Sequence, residues 1–385
     1  MTPSARVQAA IECLDRVLAG EPAEKALTGW ARGARYAGSK DRAAVRDHVY
    51  DALRQRASLT ALAGGRGDGR ALMQALIYRQ GEDTAALFAG GRFGPEPLAE
   101  EERLEPGADA VDLPGWAMER LEARYGAEAA RIAEAMRARA PVFLRVNLRK
   151  ATPEKAVEAL SSSGITVRDL GDPAGALEVL EGARGLRNAP AYAEGLVELQ
   201  DRSSQAAMAT LPLDGASRIL DYCAGGGGKT LALAARAGAR FFAHDANPGR
   251  MADLPARAAR AGVEVTRLET GAVAAEGPYD LVLCDVPCSG SGTWRRDPDA
   301  KWRMMPEDLV ALTRVQDGIL DTAQGLVGQG GLLAYATCSL FEEENDARIE
   351  SFLARHPGWT CRFRRQWALE DGGDGFFIAH LMRSA

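Results

Sequence analysis

The segment SRILDYCAGGGGKTLALAARAG (Ser217–Gly238) joins a short apolar run to an alanine-rich run through four consecutive glycines. The same order of strand, loop and helix then repeats through the stretches FFAHD, VEVTRL and YDLVLCDV. Alternation of this kind predicts a parallel, doubly wound α/β sheet. Ligands of such sheets bind at the carboxyl ends of the strands, so we expect the glycine loop to face a ligand.

Three kinds of ligand compete for the loop LDYCAGGGGKT (Leu220–Thr230). A Walker phosphate loop requires a glycine five residues before the GKT tripeptide, where Cys223 stands, and so this pattern fails. A dinucleotide fingerprint GxGxxG that begins at Gly225 requires a glycine where Thr230 stands, and neighbouring starts fit no better. The third ligand is S-adenosylmethionine (SAM), with Asp245 at the end of the next strand as acceptor for ribose hydroxyls. Asp245 could instead be only a helix cap.

The composition excludes several classes of protein. The chain has 385 residues, of which 46% are hydrophobic and 26% charged, which is typical of a soluble globular protein with two or three domains. No stretch approaches about 20 uninterrupted apolar residues, and Glu12 and Asp15 interrupt the first helix where a signal peptide would be apolar. Six irregularly spaced cysteines are typical of free thiols, so we expect a cytoplasmic protein. We expect no metal, no membrane partner and a monomer.

Charge is distributed unevenly along the chain. Residues 1–79 hold 13 basic and 8 acidic residues, a net charge of +5, which leaves −11 for the remainder of a chain whose net charge is −6. Apolar residues in this part recur at three- and four-residue spacing, which predicts helices, and the second helix carries Arg42, Arg46, Arg54 and Arg56. These arginines form either a solvated helix face or a surface that binds RNA.

Composition also indicates the domain boundaries. Residues 93–114 combine four prolines with a run of glutamates, which predicts an acidic linker. Short strand-like runs around a helix that begins after Thr152, at Pro153, predict an α+β module. We therefore expect a helical domain (1–92), the linker (93–114), a helical and α+β module (115–200) and an α/β domain (201–385).

Two cysteines follow predicted strands. DVPCSGSG (Asp285–Gly292) places Cys288, and ATCSLFEEEN (Ala336–Asn345) places Cys338, at the carboxyl end of a strand. A single cysteine in such a position is more often a packed thiol than a nucleophile. We expect Cys13, Cys284 and Cys361 to be packed thiols of this kind. Two strand-end cysteines beside a candidate SAM site instead indicate chemistry.

These motifs, together with QDRSSQ (Gln200–Gln205), resemble the RNA 5-methylcytosine methyltransferases of the Rsm B / Nop2 / Sun family. The resemblance is strong over Leu199–Met382, and RYAGSKDRAAVRDHVYDALR (Arg35–Arg54) is similar to the NusB-like domain of bacterial members. It implies an α/β fold: a class I, Rossmann-like SAM-dependent methyltransferase domain preceded by an all-α NusB-like domain and a small α+β RNA-binding module. Cytosine-5 DNA methyltransferases also use a Pro-Cys motif, but the second cysteine, in Thr-Cys, favours RNA.

The resemblance implies methylation of cytosine C5 in RNA, with ribosomal RNA as the first expectation. Transfer RNA is an alternative, and so is a non-catalytic RNA-binding or ribosome-assembly factor that retains the fold. In the family pattern Cys338 attacks C6 of the base, which makes C5 nucleophilic, and Cys288 assists release. Asp285 would contact the ring edge and Lys229 would support the same site.

The resemblance also implies a cofactor site and departures from it. Gly225 and Gly226 stand where the family has Ala-Pro, and Thr270 or Glu269 must replace an aspartate near the adenine. The full expected set for SAM is Cys223, Ala224, Gly225, Gly226, Gly227, Gly228, Lys229, Asp245, Arg250, Thr270 and Asp285.

A cationic and aromatic stretch after the Cys288 loop, TWRRDPDAKWR (Thr293–Arg303), predicts RNA contacts. The alternative is a packed, salt-bridged loop that uses Asp297 and Asp299. The expected RNA-binding residues are Arg202, Trp294, Arg295, Arg296, Lys301 and Arg303.

Overall fold

The computed structural model describes residues 1–369 and 372–383. Its α-helices in chain order are α1 (Pro3–Leu18), α2 (Ala23–Gly33), α3 (Ser39–Arg54), α4 (Arg56–Leu62), α5 (Gly69–Arg79), α6 (Thr84–Leu87), α7 (Gly115–Tyr125), α8 (Ala129–Ala135), α9 (Pro153–Ser161), α10 (Pro190–Ala193), α11 (Arg202–Ala209), α12 (Gly228–Ala234), α13 (Leu254–Ala261), α14 (Pro298–Arg303), α15 (Pro306–Ala323) and α16 (Asp346–Arg355). Its strands are β1 (Val142–Val146), β2 (Thr166–Asp169), β3 (Ala176–Glu181), β4 (Val197–Leu199), β5 (Arg218–Asp221), β6 (Arg240–Ala243), β7 (Val265–Arg267), β8 (Tyr279–Asp285), β9 (Val327–Thr337), β10 (Trp359–Trp367) and β11 (Phe376–Arg383). Among the described residues, no helix is both long enough and apolar enough to cross a membrane.

The chain divides into two compact units. The first comprises Met1–Arg139 together with Trp294–Met304, and the second comprises Ala140–Thr293 together with Met305–Ala385. This division differs from the expected boundaries in two places. The expected linker is part of the first unit, and so are α7 and α8, which the sequence had grouped with the α+β module.

The first unit is helical, as the apolar periodicity predicts. Its helix α1 begins with Thr2 as N-cap, whose hydroxyl accepts a hydrogen bond from the backbone nitrogen of Ala5, and with Pro3 in the first turn. Its buried face includes Val7, Ile11 and Leu14, in a core shared with α2, α3, α4 and α5. The repeated three- and four-residue spacing thus produces one apolar stripe for each helix.

The expected linker packs against this core because its acidic residues pair with N-terminal groups. Glu102 accepts from the Arg70 guanidinium at 2.7 Å. Asp112 is buried, and it accepts both the backbone nitrogen of Ser58 at 2.9 Å and the Ser58 hydroxyl at 2.8 Å. Arg137 lies 2.7 Å from the same carboxylate. Proline and glutamate content therefore marked a loop correctly but not an independent linker.

The stretch expected to bind RNA is also part of this unit. Lys301 is fully buried, and its ammonium donates to the backbone oxygens of Arg54 at 2.9 Å and Asp112 at 2.7 Å. The indole nitrogen of Trp302 donates to the backbone oxygen of Leu53 at 2.7 Å. These hydrogen bonds satisfy two carbonyls at the end of α3 and the carbonyl of Asp112, so the segment works as a structural insert.

Burial also removes two further predicted RNA contacts. Trp294 is 1% exposed and packs edge-to-face with Trp116, with ring centroids 6.2 Å apart, and Arg295 is 6% exposed. The prediction that Trp294, Arg295 and Lys301 contact RNA is therefore wrong in this structure, and the packed-loop alternative holds for them. Of the remaining residues, Arg296 and Arg303 are exposed, and Arg303 lies 3.4 Å from Asp299. Lysine and arginine side chains have an apolar stem and a charged end, so they can pack in a protein core as well as on a surface that binds RNA.

The second unit begins with a four-stranded antiparallel sheet in the order β2-β3-β1-β4. As predicted, α9 begins at Pro153 after an N-cap at Thr152. The helix packs its apolar side on this sheet, with Ala156 and Leu160 in the same cluster as Leu144 and Leu177.

A seven-stranded sheet forms the remainder of the second unit, in the order β10-β11-β9-β8-β5-β6-β7. Strands β5 to β9 pair in parallel, which confirms the predicted doubly wound sheet, whereas β11 pairs antiparallel with β9 and β10. Helices α11 and α12 pack on one face, and α15 and α16 pack on the other. The strand order reverses between β5 and β8, and ligands of open α/β sheets bind at such a reversal.

Replacement of Asp112 tests whether residues 93–114 belong to the fold. Asp112→Ala removes the acceptor of the buried Ser58 amide and one of the carboxylates around the partly buried Arg137 guanidinium, so we expect a loss of about 2–3 kcal/mol in the free energy of unfolding. Asp109→Ala is the matched control, because Asp109 pairs with the same Arg137 but is 59% exposed. Its cost should stay below about 1 kcal/mol. Denaturant unfolding of the full chain measures both, and equal small losses would show that the segment is a loose linker.

Candidate active site

The glycine loop turns sharply at the carboxyl end of β5. Gly225 and Gly227 have φ values of +49° and +77°, a region that side chains disfavour. A Cβ atom on Gly227 would lie 2.2 Å from Cδ1 of Leu254, which leaves no room for any side chain. The loop therefore presents backbone rather than side chains at the edge of the sheet.

Asp245 faces this loop from the end of β6. The residue is 4% exposed, and its Oδ2 accepts the backbone nitrogen of Gly225 at 2.9 Å while its Oδ1 accepts that of Asn247 at 2.9 Å. Arg250 lies 3.3 Å from the same carboxylate. Each carboxylate oxygen retains further lone pairs, so a vicinal diol could also be accepted here.

The loss of the family's proline has a visible counterpart. The Arg257 guanidinium donates to the carbonyl oxygen of Gly226, and the Asp245 carboxylate accepts the backbone nitrogen of the preceding residue, Gly225. Both contacts restrict a segment that four glycines would otherwise leave flexible. The sequence analysis missed Arg257, which lies 31 residues along the chain on α13.

Thr270 contacts a histidine. The Thr270 hydroxyl lies 3.0 Å from Nε2 of His244, and Nδ1 of that ring lies 2.7 Å from the backbone oxygen of Tyr222. The His244 and Tyr222 rings stack with centroids 4.6 Å apart. Thr270, which was expected to replace an aspartate, therefore holds the stacked His244 and Tyr222 rings beside the glycine loop. Among the hydrogen bonds given for residues 1–369 and 372–383, none comes from the Glu269 side chain.

Lys229 and Asp285 form an ion pair between the start of α12 and the end of β8. Lys229 Nζ lies 2.6 Å from Oδ2 of Asp285 and 5.1 Å from the centroid of the Phe376 ring. Burial by itself would lower the pKa of Lys229, but the Asp285 carboxylate outweighs burial, and the pKa is raised. Lys229 is therefore a permanent cation that orients the Asp285 carboxylate.

The two strand-end cysteines meet. The Sγ atoms of Cys288 and Cys338 are 3.4 Å apart, although the residues are 50 positions apart in the chain. The hydrogen bond to Cys338 and burial together raise the pKa of the Cys288 thiol well above its usual range. Either sulfur can donate in this contact, and the raised pKa of Cys288 favours the thiol form of that residue.

Asp221, at the end of β5, is a buried acid that the sequence analysis missed. Its Oδ2 accepts the Thr230 hydroxyl at 2.7 Å, and its Oδ1 has no partner among the described residues. Burial raises the pKa of Asp221 to about 7. The only signal in the sequence was its place directly before the glycine loop.

The predicted site residues separate into two groups. Cys223, Ala224 and Gly228 lie within the glycine loop, next to the residues just described. Arg202 begins α11, where its Nε donates to the backbone oxygen of Asp172 at 3.3 Å. The stretch that contains Trp294, Arg295, Arg296, Lys301 and Arg303 belongs to the first unit. Within residues 1–369 and 372–383, no group of three or more His, Cys, Asp or Glu side chains could hold a metal ion.

The loop residues fit SAM. Asp245 offers acceptors for the ribose hydroxyls, the glycines allow backbone to approach the ligand, and the unpartnered Oδ1 of Asp221 is a buried acceptor at the same strand end. Phosphate is not favoured, because the cations beside the loop already have carboxylate partners: Lys229 pairs with Asp285, Arg250 with Asp245 and Arg257 with Glu198.

The sheet and the site define a class of protein, the Rossmann-like methyltransferases. The crystal structure of PH0851 superposes over 100% of this chain and 99% of its own, with a TM-score of 0.75 and 21% identity. A methyltransferase homolog from Pyrococcus horikoshii covers 69% of this chain and 94% of its own, with a TM-score of 0.60 and 24% identity. NSun6 from the same organism covers 71% and 98%, with a TM-score of 0.62 and 17% identity. These likenesses establish the fold.

Sequence comparison gives the family. The model of the 16S rRNA methyltransferase RsmB/F matches residues 208–382, and the ferredoxin-like domain of RsmF/B-like methyltransferases matches residues 113–183. Ribosomal RNA small subunit methyltransferase B from Xylella fastidiosa is 33% identical over 303 residues, 74% of this chain and 70% of the relative. The same-named protein from Salmonella arizonae is 34% identical over 284 residues, 70% of this chain and 66% of the relative. The chain belongs to the RsmB/F family of methyltransferases.

Asp221 should make the stability of this protein depend on pH. The folded-state pKa of about 7 lies above the unfolded value near 3.9, so the stabilising, protonated form is complete below about pH 4 and lost as pH rises through 7. Asp221→Asn mimics the protonated acid and keeps an acceptor for Thr230. As the pH rises from 4 to 7, the free energy of unfolding of the variant should increase relative to that of the wild type, by up to about 4 kcal/mol. Above pH 7 this difference should stay constant. Thermal melting from pH 4 to pH 8 measures the difference, and parallel profiles would contradict it.

Proposed function

We propose that this chain methylates C5 of cytosine in RNA, with SAM as methyl donor. The observation that carries the proposal is the 3.4 Å contact between the sulfurs of Cys288 and Cys338 beside the Lys229–Asp285 ion pair. A single thiol at a strand end is ordinary, but two thiols in contact suit a nucleobase that needs both a nucleophile and a proton carrier.

The chain's own groups supply most of the chemistry. The Cys338 thiolate adds to C6 of the base, which breaks the ring conjugation and makes C5 nucleophilic. SAM supplies an electrophilic methyl group when bound. After transfer, the C5 proton leaves to water, its bonding electrons re-form the C5–C6 double bond, and the bond between Cys338 and C6 breaks to regenerate the thiolate. Cys288 holds a proton beside the departing sulfur and assists this release.

Asp285 and Lys229 act on the base rather than on the methyl group. The Asp285 carboxylate would accept a hydrogen bond from the N3/N4 edge of the cytosine and favour the adduct. Lys229 orients that carboxylate through the ion pair at 2.6 Å. A cytosine in a duplex cannot reach such a site, so the substrate would be a single-stranded or extruded base.

Ribosomal RNA is the favoured substrate class. The relatives from Xylella fastidiosa and Salmonella arizonae are named as ribosomal RNA small subunit methyltransferases B. The helical first unit would be the NusB-like domain and an RNA-binding part, because residues 1–79 carry a net charge of +5. Within it, the exposed Arg42 and Arg46 remain candidates, whereas Arg54 is 6% exposed and donates to the backbone oxygen of Arg295 at 2.8 Å.

Asp245 should be required for SAM binding. Asp245→Ala removes the acceptor for the ribose hydroxyls and frees the backbone nitrogen of Gly225, so we expect binding to weaken by about 1.5–3 kcal/mol. Asp253→Ala is the control, because Asp253 is an exposed carboxylate directly before α13. Calorimetry with SAM measures both dissociation constants. An unchanged constant for Asp245→Ala would reduce this residue to a structural cap.

The two cysteines should separate in a trapping experiment. Cys288→Ala retains the attacking thiol, so with SAM and substrate RNA it should accumulate a protein–RNA complex that resists denaturant. Cys338→Ala has no attacking thiol, and it should form neither complex nor methylated product. A retarded band on a denaturing gel detects the complex, and a methylation assay detects the product.

Cys361→Ala controls for the loss of a thiol, because Cys361 lies on β10, whereas Cys288 and Cys338 lie in the loops that follow β8 and β9. It should methylate as the wild type does and trap no RNA. A complex from Cys338→Ala but not from Cys288→Ala would exchange the two roles. Full activity of both variants without any complex would remove the covalent mechanism, and an absence of methylation with every RNA class would remove the proposed function.

A further inference from the structure

A buried carboxylate joins the two cysteine loops. Glu344 ends the 3₁₀ turn Glu342–Glu344 and is 0% exposed. Its Oε1 accepts the backbone nitrogen of Ser289 at 2.8 Å and Nε2 of Gln316 at 3.0 Å, and its Oε2 accepts the Ser339 hydroxyl at 2.5 Å. Ser289 follows Cys288 directly and Ser339 follows Cys338 directly, so one side chain contacts both loops beside their sulfurs.

A hydroxyl cluster extends this connection. The Ser339 hydroxyl lies 3.2 Å from that of Ser289 and 3.1 Å from that of Ser291. The Ser291 hydroxyl also accepts the backbone nitrogen of Leu340 at 2.8 Å, and the backbone nitrogen of Gly292 donates to the Cys338 carbonyl at 3.0 Å. The two loops are therefore joined at several consecutive residues, with Glu344 as the charged acceptor of the cluster.

The position is expensive for a carboxylate. The three hydrogen bonds to Glu344 come from an amide N–H, a side-chain amide and a hydroxyl, all of them neutral. Neutral donors only partly replace the hydration that a charged group loses on burial. An apolar residue could fill the same space, but it could not bridge two loops with directed hydrogen bonds. The geometry is explained if the loops must be held at a defined separation.

We propose that Glu344 is a positioning residue that sets the separation of the Cys288 and Cys338 sulfurs. It touches neither sulfur, and it acts through Ser289 and Ser339. The inference rests on the proposed function for its consequence in catalysis, because proton sharing between the thiols requires the 3.4 Å contact. The geometric part concerns the protein alone.

Thiol–disulfide exchange measures this separation without RNA or SAM. The dithiol and glutathione disulfide react to give a Cys288–Cys338 disulfide and two glutathione thiols, and the equilibrium ratio gives the effective concentration of one thiol near the other. A glutamine has only one acceptor oxygen, so Glu344→Gln cannot accept hydrogen bonds from both Ser289 and Ser339 as the carboxylate does. The variant should therefore lower this effective concentration at least about tenfold. Mass spectrometry of alkylated peptides quantifies the disulfide.

Two further variants keep the test decisive. Ser339→Ala removes one hydroxyl of the bridge and should reproduce the defect, and the double variant with Glu344→Gln should be no worse than either single one. Glu342→Gln is the matched control, since it makes the same change at an exposed position of the same turn, and it should match the wild type. All variants are compared below their melting temperatures, so that unfolding does not contribute.

Kinetics then connects the geometry to the reaction. Glu344→Gln should lower kcat about 10- to 100-fold with little change in KM for RNA. The RNA still binds, but the misplaced thiols carry out the chemical step more slowly. An unchanged effective concentration and an unchanged kcat would overturn the proposal. A reduced effective concentration in a protein that methylates no RNA would support the positioning role and instead contradict the proposed function.

Discussion

The parallel pairing of β8 with β5 on one side and β9 on the other is the constraint on which the site depends. Strands paired in parallel end at the same edge, so the residues that follow them converge although the chain separates them widely. This convergence brings Lys229 near Asp285 and Cys288 near Cys338. A slip of one residue in the β8–β9 register would turn every side chain at these strand ends to the opposite face.

The same edge concentrates polar groups that stability alone would not select. Asp221 and Glu344 are both buried carboxylates, and neither has a cation as hydrogen-bond partner within the described ranges. Burial of such groups costs free energy that packing elsewhere must offset. The large apolar clusters on both faces of the seven-stranded sheet provide that stability, and they hold the strand ends in fixed positions. The apolar clusters therefore offset the cost of burying the polar groups at the sheet edge.

Local signals were sufficient wherever a feature depends on neighbours in the chain. The cap at Thr152, the glycine loop and the alternating strands and helices follow from such signals, and the structure has them. Tertiary contacts changed the interpretation of two charged stretches. Arg295 and Lys301 are buried in the helical first unit, and in residues 93–114 Glu102 and Asp112 pair with arginines of that unit. Charge and aromatic content describe what a segment can contact, and they do not identify the partner.

Local periodicity, and motifs whose residues lie within a few positions of each other, were enough to assign the class of fold, the family and the residue types of the reactive site. The tertiary structure decided which of those residues meet. It brought the Cys288 and Cys338 sulfurs to 3.4 Å, assigned Lys301 to a core, and placed Glu344 between two loops that lie about 50 residues apart in the chain. Such contacts depend on strand register and on the burial of side chains, which act between distant residues and leave no trace in local spacing.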